Sequence, residues 1–370
     1  MCKVSVIVPI YNVEEYIGEC LESLRRQTLK DIEVICVNDG STDQSPKIVR
    51  QYIESDSRFI MIDRENGGYG KAMNIGIENA SGEYIGIVEP DDFVALTMYE
   101  DLYDTAQKNR LDFVKADFYR FTRSESSKNM NLIYNRLDKE GEFYNRVINP
   151  GQTPHVTKFI LNTWSGIYSR KFIERYHIRH HETAGASFQD NGFFWQTFIY
   201  AERCMFLDRP YYMNRRDNPN SSVNSREKVY CMNIEYDYIR DILMQKGNEA
   251  IWERFKGYFN LKRYHNYMFT LSRIGEAYKK EYTERISREF KRAEMLGELD
   301  MSLFTPSELG KIKFLIKDPE AYYWKYVLNS GGKITAEDVK NTVTFKVGKA
   351  VLYVPRKIKY FFKKKKRNRG

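Results

Sequence analysis

The stretch Tyr84-Ile85-Gly86-Ile87-Val88-Glu89-Pro90-Asp91-Asp92 decides the fold. Its first five residues form an apolar run that is typical of a buried strand. Pro90 cannot donate a backbone hydrogen bond to a neighbouring strand, so we expect the strand to end there. Three carboxylates crowd into the last four residues. Ligands bind at the carboxyl ends of strands in open α/β sheets, so the stretch predicts a binding site, although Pro and Asp also favour plain surface turns.

Shorter apolar runs of the same kind lie on both sides of this stretch. They cover residues 4–8, 32–37 and 59–62 before it and residues 112–118 after it. Segments with apolar residues at helical spacing separate the runs. The alternation β-α-β-α-β-α-β-α-β over residues 1–120 predicts an α/β fold with an open, mostly parallel sheet flanked by helices.

Beyond residue 120 the sequence is less regular. Residues 122–149 are mostly polar and predict a loop or an insertion, and a helix is expected to start at Lys171. Residues 226–340 have helical periodicity and no chemical motif that we can name. Near the amino end, Asn12 followed by Glu15 predicts a capping box at the start of the first helix.

The positive charge of the chain is concentrated at its carboxyl end. The net charge is +9, and residues 346–370 hold eleven Lys or Arg and no acid, so residues 1–345 carry a net charge of −2. A nucleic-acid-binding domain usually carries its charge on the folded body, so this distribution makes nucleic acid an unlikely partner. Apolar residues alternate with the basic ones in the tail, which is typical of a segment that lies on an anionic membrane surface. A solvated tail or contact with RNA is the alternative.

Cysteine and histidine usage argues against a disulfide scaffold and against zinc. The five cysteines are odd in number and lack framework spacing, which favours a reduced, cytoplasmic compartment. His180 and His181 have no cysteine near them, so a zinc site is not expected. The chain enters its first strand at once and has no apolar run near the roughly 20 residues of a membrane span, so we expect neither a signal peptide nor a transmembrane helix.

Two common nucleotide-binding motifs are excluded on specific residues. A dinucleotide-binding unit needs a glycine-rich turn directly after its first strand, and this chain has Pro9-Ile10-Tyr11-Asn12 there. A P-loop needs a glycine five residues before Gly-Lys-Ser/Thr, but Gly70-Lys71 has Glu65 at that position and is followed by Ala72. What remains is an open sheet with carboxylates after its second and fourth strands and a glycine-rich loop after its third.

Several segments in this order resemble the family 2 glycosyltransferases of the GT-A fold. The resemblance covers roughly residues 3–195 and rests on Val4-Ser5-Val6-Ile7-Val8-Pro9-Ile10-Tyr11-Asn12, Val37-Asn38-Asp39-Gly40-Ser41-Thr42-Asp43, Asn66-Gly67-Gly68 and Asn74-Ile75-Gly76. Glu89-Pro90-Asp91-Asp92 falls where the family has an Asp-any-Asp motif, and Asp190 falls where it has a Glu-Asp pair. Glu89 and Gln189 depart from the pattern, since the family commonly has Asp and Glu at these positions, and their roles stay open.

The resemblance implies a nucleotide-sugar site and a divalent metal. Asp39 would accept a hydrogen bond from the base of a uridine nucleotide, for which an acceptor-only side chain is suited. Asp91 and Asp92 would hold the ribose and a Mn²⁺ or Mg²⁺ ion on the diphosphate, in an order that the sequence leaves open. The residues expected to bind the nucleotide sugar are Pro9, Tyr11, Asn12, Asp39, Asn66, Gly67, Lys71, Asp91 and Trp164. Lys71 is equally compatible with a solvated helix start, and Trp164 with a core position.

Asp190 is the catalytic base that the resemblance implies. Transfer with inversion needs one group that takes the proton from the acceptor hydroxyl. The alternative is that Asp190 merely caps a helix. The expected enzyme is thus a metal-dependent inverting glycosyltransferase of hexosyl or N-acetylhexosaminyl type. Its donor would be a nucleotide-diphosphate sugar, and its acceptor a glycan or a lipid-linked molecule of surface polysaccharide synthesis.

The resemblance, together with the periodicity and charge of residues 226–370, which lie outside it, suggests a division of the chain and a location. We expect a nucleotide-sugar-binding unit in 1–120, an acceptor and base region in 121–225, a helical region in 226–345 and the basic tail in 346–370. Lipid-linked acceptors, common in the family, favour a peripheral position on the inner face of the cell membrane. A non-catalytic glycan- or RNA-binding protein that retains the fold is the rival hypothesis. The sequence leaves the oligomeric state undetermined.

Overall fold

The computed structural model describes residues 2–123, 129–186 and 188–328. The described residues fall into two compact units, unit 1 up to Tyr267 and unit 2 from Met268 onward, and each is described by itself. The basic tail at 346–370 lies outside the described residues, so its predicted membrane contact stays a prediction.

The first part of unit 1 alternates strands and helices as predicted. Its elements are β1 (Val4–Ile10), α1 (Ile17–Arg25), β2 (Ile32–Asp39), α2 (Ser45–Ser55), β3 (Phe59–Arg64), α3 (Tyr69–Glu78) and β4 (Tyr84–Ile87). The four strands are parallel in the order β3-β2-β1-β4, and Val4 pairs with both Ile32 and Tyr84. Every residue of β1 is buried, as expected for a central strand that helices cover on both faces.

The second part of the sheet is mixed. Its strands and the helices between them are β5 (Phe93–Val94), α4 (Met98–Asn109), β6 (Phe113–Arg123), β7 (Met130–Asn135), β8 (Gly166–Ser169), α5 (Arg170–Arg175), α6 (Asp190–Tyr200) and β9 (Cys204–Arg215). Among the described residues the strand order is β3-β2-β1-β4-β8-β6-β9-β5, and β7 pairs with β6. β8 lies antiparallel between β4 and β6, so β6 does not pair with β4 directly. The predicted open, mostly parallel α/β sheet is confirmed with this addition.

Two local predictions were wrong. The interval 122–149 is not all loop, because β7 forms an antiparallel pair with β6 inside it. Its residues are largely exposed, Ile133 by 59%, so the strand lacks the buried alternating face that sequence patterns reveal. Asn12 does not cap α1, since Tyr16 holds the N-cap position. Asn12 instead has a positive φ of 51°, and its Oδ1 accepts a hydrogen bond from Thr42 N at 2.8 Å. This bond ties the loop after β1 to the loop after β2.

Buried helices fix the far side of unit 1. All residues from Asn191 to Ile199 in α6 are buried, and α6 packs on α7 (Cys231–Leu243). Trp195 lies 5.8 Å, between ring centroids, from Phe259 of α8 (Glu249–Arg273), a helix that starts in unit 1 and ends in unit 2. A helix that is apolar all round must be buried, so the first residue of α6, Asp190, stands on a rigid support.

Unit 2 is helical over its described residues, as predicted for this region. It contains α9 (Glu276–Met295), α10 (Pro306–Lys317) and α11 (Pro319–Tyr322), which a π-helical turn at Tyr323–Leu328 extends. Thr305 and Glu308 form a complete capping box at α10. None of the helices within residues 2–328 is long and apolar enough to cross a membrane.

Candidate active site

The site is built where β1, β2, β3 and β4 end. These strands are parallel, so the loops that follow them leave from one edge of the sheet. Asp39 lies at the end of β2, and the stretch from Glu89 to Asp92 follows β4. The chain therefore brings together at one edge the carboxylates that the sequence places far apart.

Asp39 is buried and organises the loop after β3. Gly67 N and Gly68 N each donate to one of its carboxylate oxygens at 2.9 Å, and Arg64 Nη1 lies 2.8 Å from Oδ1. Asn66 Nδ2 donates to the Asp39 backbone oxygen at 3.0 Å. A carboxylate offers about four lone-pair positions, so Asp39 retains capacity for one more donor, such as the N–H of a uracil.

Three other residues expected at the donor lie in β1, just after β1 and in α3. Pro9 is buried at the end of β1, whereas Tyr11 is 51% exposed just beyond it. Lys71 is exposed in the first turn of α3. Gly68, with a φ of 91°, sits so close to the segment around Thr183 that a Cβ atom would lie 2.5 Å from the Thr183 oxygen. This crowding explains why glycine stands at position 68.

The two aspartates of the acidic stretch have different surroundings. Asp92 is 1% exposed, and its two oxygens accept hydrogen bonds from Arg215 N at 2.6 Å and Asn214 Nδ2 at 3.1 Å. Burial, followed by the charge of Asp91, raises the pKa of Asp92 well above its usual value. Asp91 is only half-buried, and its Oδ2 accepts from Asn218 Nδ2 at 2.9 Å. Asp92 thus anchors β9, and Asp91 keeps the more accessible carboxylate.

Glu89 is held as a neutral acid. Tyr69 Oη donates to its Oε1 at 2.8 Å, and its backbone N donates to Tyr212 Oη at 2.9 Å. Burial raises the pKa of Glu89 to about 8, and the charges of Asp91 and Asp190 add to the shift. Glu89 therefore carries a proton at neutral pH.

Asp190 lies close enough to Glu89 for their charges to interact. It is the first residue of α6, after Gln189 at the N-cap position, and its half-buried carboxylate accepts from Asn191 Nδ2 at 3.1 Å. Burial raises the pKa of Asp190 to about 6, and the next contribution is the charge of Glu235. Two neighbouring carboxyls whose pKa values differ in this way can take different protonation states at one pH.

Gln189, whose role the sequence left open, secures a loop. Its Nε2 donates to Thr183 Oγ1 at 2.8 Å and to Gly185 O at 2.9 Å. Gly185 O also accepts from Tyr69 N at 3.1 Å. Gln189 therefore couples the start of α6 to the start of α3, from which Tyr69 reaches Glu89.

Trp164 forms a wall beside the acidic stretch. Its ring stacks on Tyr212 at a centroid distance of 4.2 Å and meets Phe118 edge-on at 4.8 Å. Tyr212 in turn accepts the hydrogen bond from Glu89 N. Trp164 is half-buried, so part of its ring packs in the core and part is accessible to solvent.

Two buried lysines, which sequence patterns did not reveal, hold the segment that carries Trp164. Lys115 Nζ donates to Asn162 O at 2.5 Å. Lys262 Nζ donates to two backbone oxygens, Thr157 O at 2.8 Å and Phe159 O at 2.7 Å. Burial lowers the pKa of each lysine to about 7, and the charge of Asp190 opposes the shift at Lys115. Lysine is usually a surface residue, so a sequence pattern predicts exposure for both lysines. No local sequence signal indicates that they hold the segment before Trp164.

The two histidines have structural partners. His180 is buried and stacks on Phe193 at 4.5 Å, and burial lowers its pKa to about 3. His181 Nδ1 lies 3.0 Å from Glu235 Oε2, and Gly192 N donates to Glu235 Oε1 at 2.9 Å. Glu235, on α7, is a further residue that sequence analysis missed, because it is an ordinary acid in a helical pattern about 45 residues after Asp190.

A divalent metal bound to a diphosphate would find an accessible carboxylate at this edge, that of Asp91. Within residues 2–123, 129–186 and 188–328, no group of three or more His, Cys, Asp or Glu is arranged to hold a metal ion. Mg²⁺ bound to a diphosphate needs only one or two carboxylates, and the half-buried Asp91 supplies a suitable oxygen donor. Metal binding by Asp91 or Asp92 stays a prediction.

Comparisons with known proteins agree with this architecture. The uncharacterized glycosyltransferase EpsJ of Bacillus subtilis (strain 168) is 40% identical over 224 residues, which are 59% of this chain and 62% of EpsJ. The poly(ribitol-phosphate) beta-glucosyltransferase of Bacillus spizizenii is 40% identical over 114 residues, 30% of this chain and 18% of that protein. The chain thus matches less than two thirds of either relative.

The fold is shared with a solved structure. The crystal structure of S. aureus TarS 1-349 in complex with UDP-GlcNAc matches with a TM-score of 0.63 and 20% identity, over 86% of this chain and 89% of that one. This likeness confirms the expected GT-A fold class. Residues 5–208, more than half of the chain, match the model of Glycosyl transferase family 2. The chain therefore belongs to glycosyl transferase family 2.

Proposed function

We propose that this protein is an inverting glycosyltransferase that transfers a sugar from a UDP-sugar to a hydroxyl of a glycan or lipid-linked acceptor. The observation that carries the proposal is the pair of carboxyls Asp190 and Glu89, which lie close enough for their charges to interact and have pKa values of about 6 and about 8. Such a pair supplies an ionised base and a neutral acid in one site at neutral pH.

Asp39 and the loop around Gly67 are the proposed donor-binding elements. The buried carboxylate of Asp39, at the end of β2, accepts hydrogen bonds from Gly67 N and Gly68 N and has remaining acceptor capacity for a base N–H. The TarS structures contain UDP and UDP-GlcNAc, which supports a uridine donor with a hexosyl or N-acetylhexosaminyl group. Lys71 is exposed next to the same loop and is suited to face phosphate.

Asp190 is the proposed catalytic base. The acceptor oxygen attacks the anomeric carbon while the bond from that carbon to the diphosphate oxygen breaks, and the acceptor proton passes to the Asp190 carboxylate. A pKa of about 6 keeps Asp190 mostly ionised at pH 7 while leaving it a useful base. Protonated Glu89 adds no negative charge next to the departing diphosphate. A Mn²⁺ or Mg²⁺ ion, held by Asp91, would neutralise charge on that diphosphate when bound.

The cellular role that we propose is synthesis of a surface polysaccharide on the inner face of the membrane. The match to a poly(ribitol-phosphate) glucosyltransferase supports a cell-surface polymer as acceptor. Attachment to the membrane through residues 346–370 belongs to the same proposal.

Donor binding and turnover together test the function. UDP-glucose, UDP-galactose, UDP-GlcNAc and UDP-GalNAc are compared by thermal shift with and without Mn²⁺, since a ligand that binds the folded state raises its stability by mass action. The donor with the largest shift is then incubated with the protein, and slow release of UDP is measured. Donor binding with UDP release and a product of inverted configuration support the proposal. Donor binding without any release favours the rival, a non-catalytic glycan- or RNA-binding protein.

A further inference from the structure

Arg120 of β6 is a partly buried cation for which the described residues provide no acid. Its Nε is inaccessible to water and has no hydrogen-bond partner, and no hydrogen bond or ion pair of its guanidinium occurs within residues 2–123, 129–186 and 188–328. By contrast, Arg58, Arg64 and Arg215 are buried or partly buried beside carboxylates at 2.6 to 2.8 Å. A buried polar group without a partner calls for an explanation, and a missing ligand is one.

Arg120 faces the candidate active site. It pairs with Asn214 of β9, whose side chain reaches Asp92, and paired residues of neighbouring strands point to the same face of the sheet. Its guanidinium carbon lies 5.8 Å from the centre of the Phe118 ring, and Phe118 lies against Trp164 at 4.8 Å. Arg120 therefore stands one aromatic ring beyond the tryptophan that lines the site.

A second arginine lies beside the first. Arg216 follows β9, where its backbone N donates to Phe121 O at 2.9 Å, and its side chain is exposed. Burial and then the charge of Arg216 lower the pKa of Arg120, so the two guanidiniums repel each other. Ile133, which pairs with Arg120 from β7, is 59% exposed, so this part of the sheet face is open to solvent.

We propose that Arg120 and Arg216 form an anion subsite that binds a phosphate group of the acceptor. The inference rests on the proposed glycosyltransferase function and narrows its acceptor to phosphate-bearing molecules. Guanidinium groups match phosphate oxygens with paired hydrogen bonds. Two guanidiniums to which the described part of the chain offers no acid suit a group with several charged oxygens.

The base of the donor is bound elsewhere in this proposal. Asp39 ends β2, and the strand order places β1, β4 and β8 between β2 and β6. Four strand spacings of roughly 4.8 Å separate β2 from β6 by about 19 Å. The base-binding end of the donor and the arginine pair are therefore on different parts of the sheet, and Trp164, just before β8, lies between them.

The test measures binding of sn-glycerol 3-phosphate to the full chain by calorimetry, with UDP and Mn²⁺ present at saturation. Saturating UDP fills the donor diphosphate site, so only a separate subsite takes up the probe, and glycerol is the neutral control. We expect Arg120→Gln to weaken the probe about 10- to 100-fold, as for loss of hydrogen bonds to a charged group. The exposed Arg216→Gln should weaken it less, and Arg26→Gln, which breaks a surface pair with Glu22, should not change it. UDP affinity should stay within a few-fold in all three variants.

Three results would overturn the subsite: no binding of the probe by the wild type, equal binding by wild type and Arg120→Gln, or binding that UDP abolishes. The last would assign the arginines to the donor. Arg216→Gln changes an exposed side chain, so it reports on the subsite even if Arg120→Gln does not fold. If UDP itself does not bind, the proposed function fails, and the probe is then measured without UDP.

A second experiment, with a lipid, distinguishes the two possible sources of the phosphate. Binding of dihexanoyl-phosphatidylglycerol, a short-chain lipid kept below its micellar concentration so that the basic tail meets no vesicle surface, is compared in wild type and Arg120→Gln by calorimetry at saturating UDP. Weaker lipid binding by the variant, with weaker probe binding, identifies a lipid-borne phosphate. Unchanged lipid binding with weaker probe binding identifies a phosphate on a soluble polymer.

Discussion

The neutral state of Glu89 predicts a pH-dependent effect of Glu89→Gln on stability. The folded protein holds the pKa of Glu89 at about 8, against 4.5 in the unfolded chain. As pH rises from 4.5 to 8 the unfolded chain loses this proton and the folded protein keeps it, so Glu89 increasingly destabilises the fold. Glutamine retains the oxygen that accepts the hydrogen bond from Tyr69, and it cannot ionise. The variant therefore does not lose stability from this group as pH rises.

The size of the effect follows from the pKa difference. Linkage gives a destabilisation by Glu89 of about 1 kcal/mol at pH 5, about 3 kcal/mol at pH 7 and about 4 kcal/mol at pH 8. Glu89→Gln should therefore gain about 3 kcal/mol of stability relative to wild type between pH 5 and pH 8. Urea unfolding of both proteins at several pH values measures this difference.

A matched control removes the contribution of net charge. Glu65→Gln deletes a carboxylate on the exposed loop before Gly67, and its stability difference from wild type is measured at the same pH values. If the Glu89→Gln difference varies with pH no more than the Glu65→Gln difference does, Glu89 is ionised in the folded protein. The assignment of neutral acid and ionised base would then fail.

Three further predictions concern the other site residues. Asp91→Asn should weaken Mn²⁺-dependent UDP binding at least 10-fold by calorimetry, whereas Asp92→Asn should leave UDP affinity within a few-fold, because Asp92 is buried and anchors β9. Equal loss of UDP affinity in both would contradict this division. Gln189→Glu removes the hydrogen bonds from Nε2 to Thr183 and Gly185, so it should lower the free energy of unfolding by about 2 kcal/mol and speed amide exchange in residues 182–186. Unchanged exchange would show that Gln189 does not hold this segment. Asp39→Asn should weaken UDP at least 10-fold while the fold survives, and wild-type affinity would remove Asp39 from the donor site.

The parts of the fold that sequence predicts are those with strong local patterns. β1, β2 and β4 are buried on both faces, so they are continuous apolar runs with clear ends. Their carboxyl ends define the site edge, which is why Asp39 and Asp91 could be assigned to it in advance. β7 is exposed and β8 has four residues, so neither has a pattern that separates it from a loop.

The parts that sequence did not predict depend on contacts between distant residues. Asp92 is bonded by Arg215, 123 residues later, and this partner turns its carboxylate toward β9. Glu235 comes beside Asp190 only because α7 packs on α6. The pKa values of Glu89 and Asp190 likewise result from burial, which the sequence around these two residues does not specify.

The central claim is that Asp190 takes the acceptor proton in an inverting transfer. Its most direct test is the turnover rate of Asp190→Asn, which keeps the shape of the side chain and removes the proton acceptor. Release of UDP from the preferred UDP-sugar is followed with Mn²⁺ at pH 7.5, and UDP affinity is measured in parallel. The account predicts a fall of about 10² to 10⁴ in rate with UDP affinity within a few-fold of wild type. A variant that turns over at the wild-type rate would show that Asp190 is not the base.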